Sequence, residues 1–217
     1  MKRIYCFFVL GLCLLYACSG NRQVTEQLDR AEALLEAAHP DSAWALLDSL
    51  DTPDRWSDRP FARWCMLYCR AADKLYKDML YTEQLTRALD WYKRHGSAEE
   101  TAWMGLYLGR SYVEDKLFLP ATNTYAEVLA LAKEEKLYNV AGYICSYMAD
   151  LYAYTRQTTE ERRKFEEAAT YFQKAGNRRS YALALRDVAK TWAFEDSLSL
   201  ALDLMLKADS IVTDSAG

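Results

Sequence analysis

The 217-residue chain is poor in the residues that interrupt helices and in those that most often do chemistry, with 8 glycines, 4 prolines and 2 histidines. It has no Gly-rich loop of the kind that cradles phosphate and no zinc-hydrolase motif. His39 and His95 fall in predicted turns far apart in the chain, and neither has a nucleophile or a second ligand at useful spacing. Cys65 and Cys69 lie one helical turn apart, but no further cysteine or histidine completes a metal site, so both read as small packing residues. The acidic pairs Glu99/Glu100 and Glu160/Glu161 stand at helix starts, where negative charge meets the helix dipole favourably, and read as capping groups. No segment alternates with the period of two that marks a strand, and no apolar run reaches the roughly 20 residues a membrane-spanning helix needs. No catalytic site, metal or cofactor is expected.

The chain opens with Lys2 and Arg3, then an apolar stretch from Ile4 to Tyr16, then Ala17 and Cys18. This is the layout of a cleaved secretory signal. Of the 27 basic side chains, Lys2 and Arg3 leave with that leader, so 25 face 31 acidic ones, a formal charge of -6. No basic face is left to attract a phosphate backbone, which argues against nucleic acid as a partner. Cys6 and Cys13 also leave with the leader, and Cys65, Cys69 and Cys145 remain besides Cys18.

Elsewhere the apolar residues recur at three and four, as in "ALLEAA", "AEVLALA" and "LALDLML". All four prolines fall where such patterns begin or break, as helix-start prolines should. Displacing the sequence by forty superposes Leu108, Gly109 and Tyr112 on Met148, Ala149 and Tyr152, and these on Val188, Ala189 and Trp192. Tyr125 and Val128, Phe165 and Ala168, and Met205 and Ala208 follow in step, and one displacement back gives Tyr68, Cys69, Ala72, Leu85 and Ala88. A shorter first pair, "VTEQLDRAEALLEAAHPDSAWALLDSL", has Asp41 or Ser42 available as the cap of its second helix. Five helix pairs cover nearly all of the mature chain.

Two resemblances follow from these residues. Leu15, Tyr16, Ala17 and Cys18 resemble a bacterial lipobox, in which the cysteine thiol is diacylglycerylated and the chain is cut before it. "LYLGRSYVEDKLFLPATNTYAEVLALA" resembles the tetratricopeptide repeat, with Leu108, Gly109, Tyr112, Ala121 and Tyr125 at the family's internal spacing. The period of forty is longer than the usual 34 residues, so loops or helix ends must be extended, and Glu161 replaces a small residue of the pattern. Together with "AEALLEAAHPDSAWALLDSL", the chain is similar to tetratricopeptide lipoproteins of Bacteroidetes type. Many such relatives continue through a membrane helix into a regulator, and this sequence resembles their extracytoplasmic portion alone. The resemblance implies an all-α, right-handed superhelical solenoid of about five pairs. The expected divisions are a signal peptide at 1–17, a tether at 18–26, repeats at 27–212 and a tail at 213–217.

In this family the first helices of successive pairs line a concave face, and the register places Arg70, Arg110, Asp150 and Lys190 there, flanked by Tyr154 and Arg186. Arg63, Asp73, Trp103, Tyr143 and Phe194 fall nearby. The lysine and asparagine clamp with which some relatives hold chaperone C-termini is missing, since Met66 and Arg70 occupy two of its places. Mixed charge with aromatics suits a peptide-like partner. The resemblance therefore implies a non-catalytic scaffold, anchored in the cell envelope through lipid on Cys18, that binds another envelope protein, for instance as the sensor part of a regulatory system. Its expected place is the periplasmic side of the outer membrane. An accessory lipoprotein of outer-membrane barrel assembly and a carbohydrate-binding lipoprotein of nutrient uptake are the alternatives. The last helix, with Ala201, Leu202, Leu204, Met205, Ala208 and Ile211, is expected to leave an apolar side uncovered and to offer a route to homo-oligomers.

Overall fold

The computed structural model describes residues 22–51 and 53–213. The expected leader, Cys18 and residues 214–217 lie outside them. Among the described residues every regular element is helical: α1 (22–36), α2 (Pro40–Asp48), a single 3-10 turn (Pro53–Arg55), α3 (Asp58–Lys74), α4 (Thr82–His95), α5 (Ala98–Glu114), α6 (Phe118–Glu134), α7 (Tyr138–Tyr154), α8 (Thr158–Lys174), α9 (Arg178–Phe194) and α10 (Leu198–Thr213). Residues 22–26, expected to be tether, are helical. None of these helices is long and apolar enough to cross a membrane.

The chain forms two compact units that meet within α4, after Trp91. In the first, Leu28, Ala31 and Leu35 of α1 are buried, as are Ala43 and Leu47 of α2. The indole of Trp64 on α3 donates to the Leu47 carbonyl at 3.1 Å. Arg63 on α3 reaches the carboxylates of Asp29 and Glu32 on α1. Arg87 on α4 ties down the start of α3 through Asp58 at 2.8 Å, and its guanidinium lies 4.0 Å from the centre of the Phe61 ring. Cys65 and Cys69 are fully buried in this packing. The cap of α2 differs from the expected one. His39 is the N-cap residue and makes no side-chain cap bond, Pro40 opens the helix, and Asp41 lies in the first turn. Proline needs no N–H partner at that position, so the helix can start two residues earlier than an Asp41 cap would place it.

In the second unit α5 to α9 are helices of 17 residues each, joined by turns of three residues. Two such helices and two such turns account for the forty-residue period, so the lengthening lies in the helices and not in the loops. Each helix from α5 to α9 ends on one motif. After α5, the Leu117 N–H donates to the Tyr112 carbonyl at 2.8 Å and the Lys116 N–H to the Val113 carbonyl at 2.9 Å. This is the six-to-one and five-to-two pairing that closes a helix with one left-handed residue. Lys116, Lys136, Arg156, Gly176 and Asp196 are those residues, with φ between 57° and 69°. At the other end of α5, Ser97 and Glu100 form a reciprocal capping box, which gives the acidic pair at 99 and 100 its local role.

Consecutive helices of this unit pack on one another. Small residues let α5 approach α6 closely, since a Cβ at Gly105 would lie 2.2 Å from Val128 and one at Gly109 2.2 Å from Tyr125. Ala149, Phe165 and Val188 form a further core cluster, with Trp192 and Leu204 against it. Lys164 is buried and pairs with Glu167 at 2.9 Å. On α10, Ala201 and Ala208 are buried while Leu198, Leu202, Leu206 and Val212 are exposed. Of the side expected to stay uncovered, Leu202 and Met205 are exposed, whereas Ala201 and Ala208 are buried and Leu204 packs on the core cluster; the open stripe is instead Leu198, Leu202 and Leu206.

Candidate functional site

The residues expected to line a groove hold the same place in their helices, the thirteenth: Arg70 in α3, Arg110 in α5, Asp150 in α7 and Lys190 in α9. Arg70 belongs to the first unit; the other three belong to the second. There the chain forms a cleft of about 500 Å³ between α5, α6 and α7, lined among others by Arg110, Glu114, Tyr125, Tyr147, Asp150 and Tyr154. Arg110, Asp150 and Tyr154, read from the sequence as neighbours, are brought together here. Lys190 stands outside the lining but close enough to act on the charge of Asp150. Arg186 is exposed on α9 and does not line the cleft.

The cations of the site are already engaged. Arg110 lies with its guanidinium 4.8 Å from the centre of the Tyr147 ring and 3.8 Å from Glu114, four residues along its own helix. Lys190 donates to Asp187 at 2.6 Å, three residues back on α9. Asp150 makes no hydrogen bond or ion pair to the described residues. It is an exposed residue, partly desolvated on the side that faces the cleft. That desolvation, followed by repulsion from Asp187 and Glu161, raises its carboxyl to about 6 despite Arg110 and Lys190. Glu161, half-buried at the start of α8, is raised as well, by burial and then by Asp187. The glutamate that breaks the repeat pattern thus adds to the acidity around Asp150.

Two tyrosines differ in role. Tyr154 is 69% exposed and stacks on Phe118, with ring centres 6.4 Å apart and planes 24° apart. Tyr125 is 1% exposed, packs against Gly109, and lines the cleft without a hydrogen bond to the described residues. Burial pushes its phenol well above the ordinary value. Glu114, Tyr147 and Asp187 were not singled out in the sequence. Their signal was available, because Tyr147 and Asp187 precede the register residue by three and Glu114 follows it by four, spacings that share a helix face. Other residues predicted near the groove serve the packing. Arg63 is held by α1, and Tyr143 hydrogen bonds Ser180 at 3.0 Å and packs edge-on against Phe172. Phe194 is exposed.

Successive packed helices, α5 to α9 of one length, with small residues where α5 meets α6, have the form of a tetratricopeptide-type helical repeat. No protein-family profile and no curated protein matches the chain. Solved structures do match it in fold. The chain is similar to the apo form of RapI, with TM-score 0.69 at 12% identity over 89% of this chain and 72% of that one. It is similar to a kinesin light chain protein of nearly identical TPR-like repeats from Podosopora anserina, with TM-score 0.62 at 14% identity over 89% and 96%. A signal transduction ATPase with a tetratricopeptide repeat sensor from Pyrococcus horikoshii matches with TM-score 0.63 at 16% identity, over 86% of this chain and 30% of that one.

Proposed function

We propose that the chain is a non-catalytic scaffold of the bacterial cell envelope, tethered through lipid on Cys18, that holds an extended segment of another protein in the cleft between α5 and α7. The cleft carries the reading. It combines an exposed tyrosine face at Tyr154, a buried phenol at Tyr125 and charged groups at Arg110 and Asp150, which is the mixture of aromatic surface and placed polar groups that peptide recognition uses. The anchor is supported by the lipobox-like Leu15–Tyr16–Ala17–Cys18 and the short apolar leader before it. A role as the sensor part of a regulatory system accords with the resemblance to extracytoplasmic parts of such proteins. Self-association through the exposed stripe of Leu198, Leu202 and Leu206 is a second contact of the same scaffold.

Affinity capture from detergent-solubilised membranes tests the reading. The parent chain is expected in the detergent phase with a defined partner, and Cys18→Ala in the aqueous phase or unprocessed. An Arg110→Glu, Tyr154→Ala variant should stay anchored and folded but lose the partner. An unchanged partner set for that variant would place the contact elsewhere.

A further inference from the structure

The charges around the cleft do not balance. Arg110 and Lys190 face Glu114, Asp150, Glu161 and Asp187, and each cation is committed to a carboxylate of its own helix, Arg110 to Glu114 and Lys190 to Asp187. The charged and titratable groups around Asp150 are thus Arg110 and Glu114 from α5, Tyr125 from α6, Tyr147 and Tyr154 from its own helix, Glu161 from α8, and Asp187 and Lys190 from α9. Asp150 and Glu161 have no ion-pair partner among the described residues. An excess of two carboxylates in a concave, partly desolvated place costs free energy that a cation entering from outside would recover. A second observation points to the same ligand. The Tyr125 phenol, almost wholly buried and without a hydrogen-bond partner among the described residues, turns an oxygen acceptor to the cleft, while Tyr154 offers an exposed ring at its rim. Aromatic faces attract ammonium and guanidinium groups and cover their carbon stems.

We propose that the cleft takes a lysine or arginine side chain of the partner segment, with the cationic end beside Asp150 and the Tyr125 oxygen and the stem along Tyr154. This rests on the scaffold reading and specifies the partner as a basic extended segment. Glu161 and Asp187 supply the field that draws the cation in, and Arg110 and Lys190 limit it, so that the site selects a single positive group in an otherwise apolar or neutral stretch.

Fluorescence anisotropy with the full chain in non-ionic detergent tests this with three labelled peptides, Ala-Ala-Lys-Ala-Leu-Ala, its arginine counterpart and its glutamate counterpart. The lysine and arginine peptides are expected to bind and the glutamate peptide not to bind. Asp150→Asn with Glu161→Gln, near-isosteric changes, should weaken the basic peptides by roughly tenfold, the effect of two screened charges. Lys190→Gln, which frees Asp187, should tighten them, and Glu135→Gln, an exposed change on the far end of α6, should leave them as they are. Binding to the parent should also fall between pH 7.5 and pH 5.5 as Asp150 takes up a proton, and this fall should be smaller in the Asp150→Asn chain. That arm needs only the parent, should the double variant fail to fold. Preference for the glutamate peptide, no binding of any peptide, or equal affinity of parent and double variant would overturn the inference. A partner captured from membranes by the parent and lost with Arg110→Glu, Tyr154→Ala would in that case leave the scaffold reading standing.

Discussion

Gly109→Ala is expected to destabilise the second unit although alanine is the better helix former. A Cβ at 109 would lie 2.2 Å from Cε1 of Tyr125, 2.6 Å from Cδ1 and 2.7 Å from Cζ. Carbon atoms in favourable contact stand about 3.5–4.0 Å apart, so the ring must move by more than about 1 Å or the two helices must separate. Tyr125 is 1% exposed and held against Gly109 on one side, so its ring can give way only toward the cleft it lines, at the expense of its packing. Overpacking of this kind costs about 1–3 kcal/mol, and the gain in helix propensity returns about 1 kcal/mol. A contact as short as 2.2 Å belongs at the upper end of the overpacking range, so the net loss is about 2 kcal/mol, roughly 4–8 °C in Tm for a chain of this size. Thermal unfolding followed by circular dichroism reads the shift. Adding Tyr125→Met gives the pairing of small and flexible residue that the last repeat has at Ala189 and Met205, and methionine can bend around the new methyl group. The double variant should therefore lose less than the sum of the two single changes. Refutation would be a Gly109→Ala chain as stable as the parent, because the approach of α5 to α6 would then not depend on this contact.

Three further outcomes are expected. Lys136 holds φ 57° in the turn after α6, so Lys136→Gly should raise the urea midpoint by the equivalent of about 1 kcal/mol, whereas Gly176→Ala at φ 69°, with open space around a Cβ, should lower it by about as much. Asp150 has its carboxyl raised by burial and by Asp187 and Glu161 from 3.8 to about 6, so the folded chain binds that proton more tightly than the unfolded one, and the associated stability is present below pH 4 and lost as pH rises through 6. Asp150→Asn should accordingly melt higher than the parent at pH 8 and equally at pH 4, with solvent access at Asp150 holding the gain to about 1 kcal/mol. For Glu167, burial pushes the carboxyl up but the Lys164 hydrogen bond and the Lys164 and Arg163 charges bring it below its ordinary value, so its contribution is present at neutral pH and lost on acidification. Glu167→Gln strands the buried Lys164 ammonium and should cost about 2 kcal/mol in thermal unfolding, while Lys164→Met should be close to neutral.

The helical class, the positions of the helices and the forty-residue period could be read from the sequence because each is a local or repeating property. Apolar spacing of three and four, prolines at helix starts, and the recurrence of Gly109, Ala149 and Ala189 opposite Tyr125, Phe165 and Met205 are all written along the chain. The lengths of the turns were not legible, since Lys116, Lys136, Arg156 and Asp196 adopt a left-handed conformation that their own preferences oppose. Packing of the flanking helices imposes it, and the same packing puts the extra residues of the repeat into helix. The division into two units after Trp91 likewise leaves no mark in composition.

At the cleft the division is sharper. The sequence by itself determined that residues forty apart return to one face of successive helices, and so placed Arg110, Asp150 and Lys190 in register. Which charges meet depended on distances that only the tertiary structure sets. Lys190 turns to Asp187 on its own helix at 2.6 Å and Arg110 lies over Tyr147, leaving Asp150 without a partner, while Arg63 is drawn away to Asp29 and Glu32. Long charged side chains pair with whatever opposite charge lies within a few ångströms, and the energy of that pairing falls with distance and with exposure to water. Register along the chain fixes neither, and so the acidic character of the cleft emerges only once α5 to α9 are packed together.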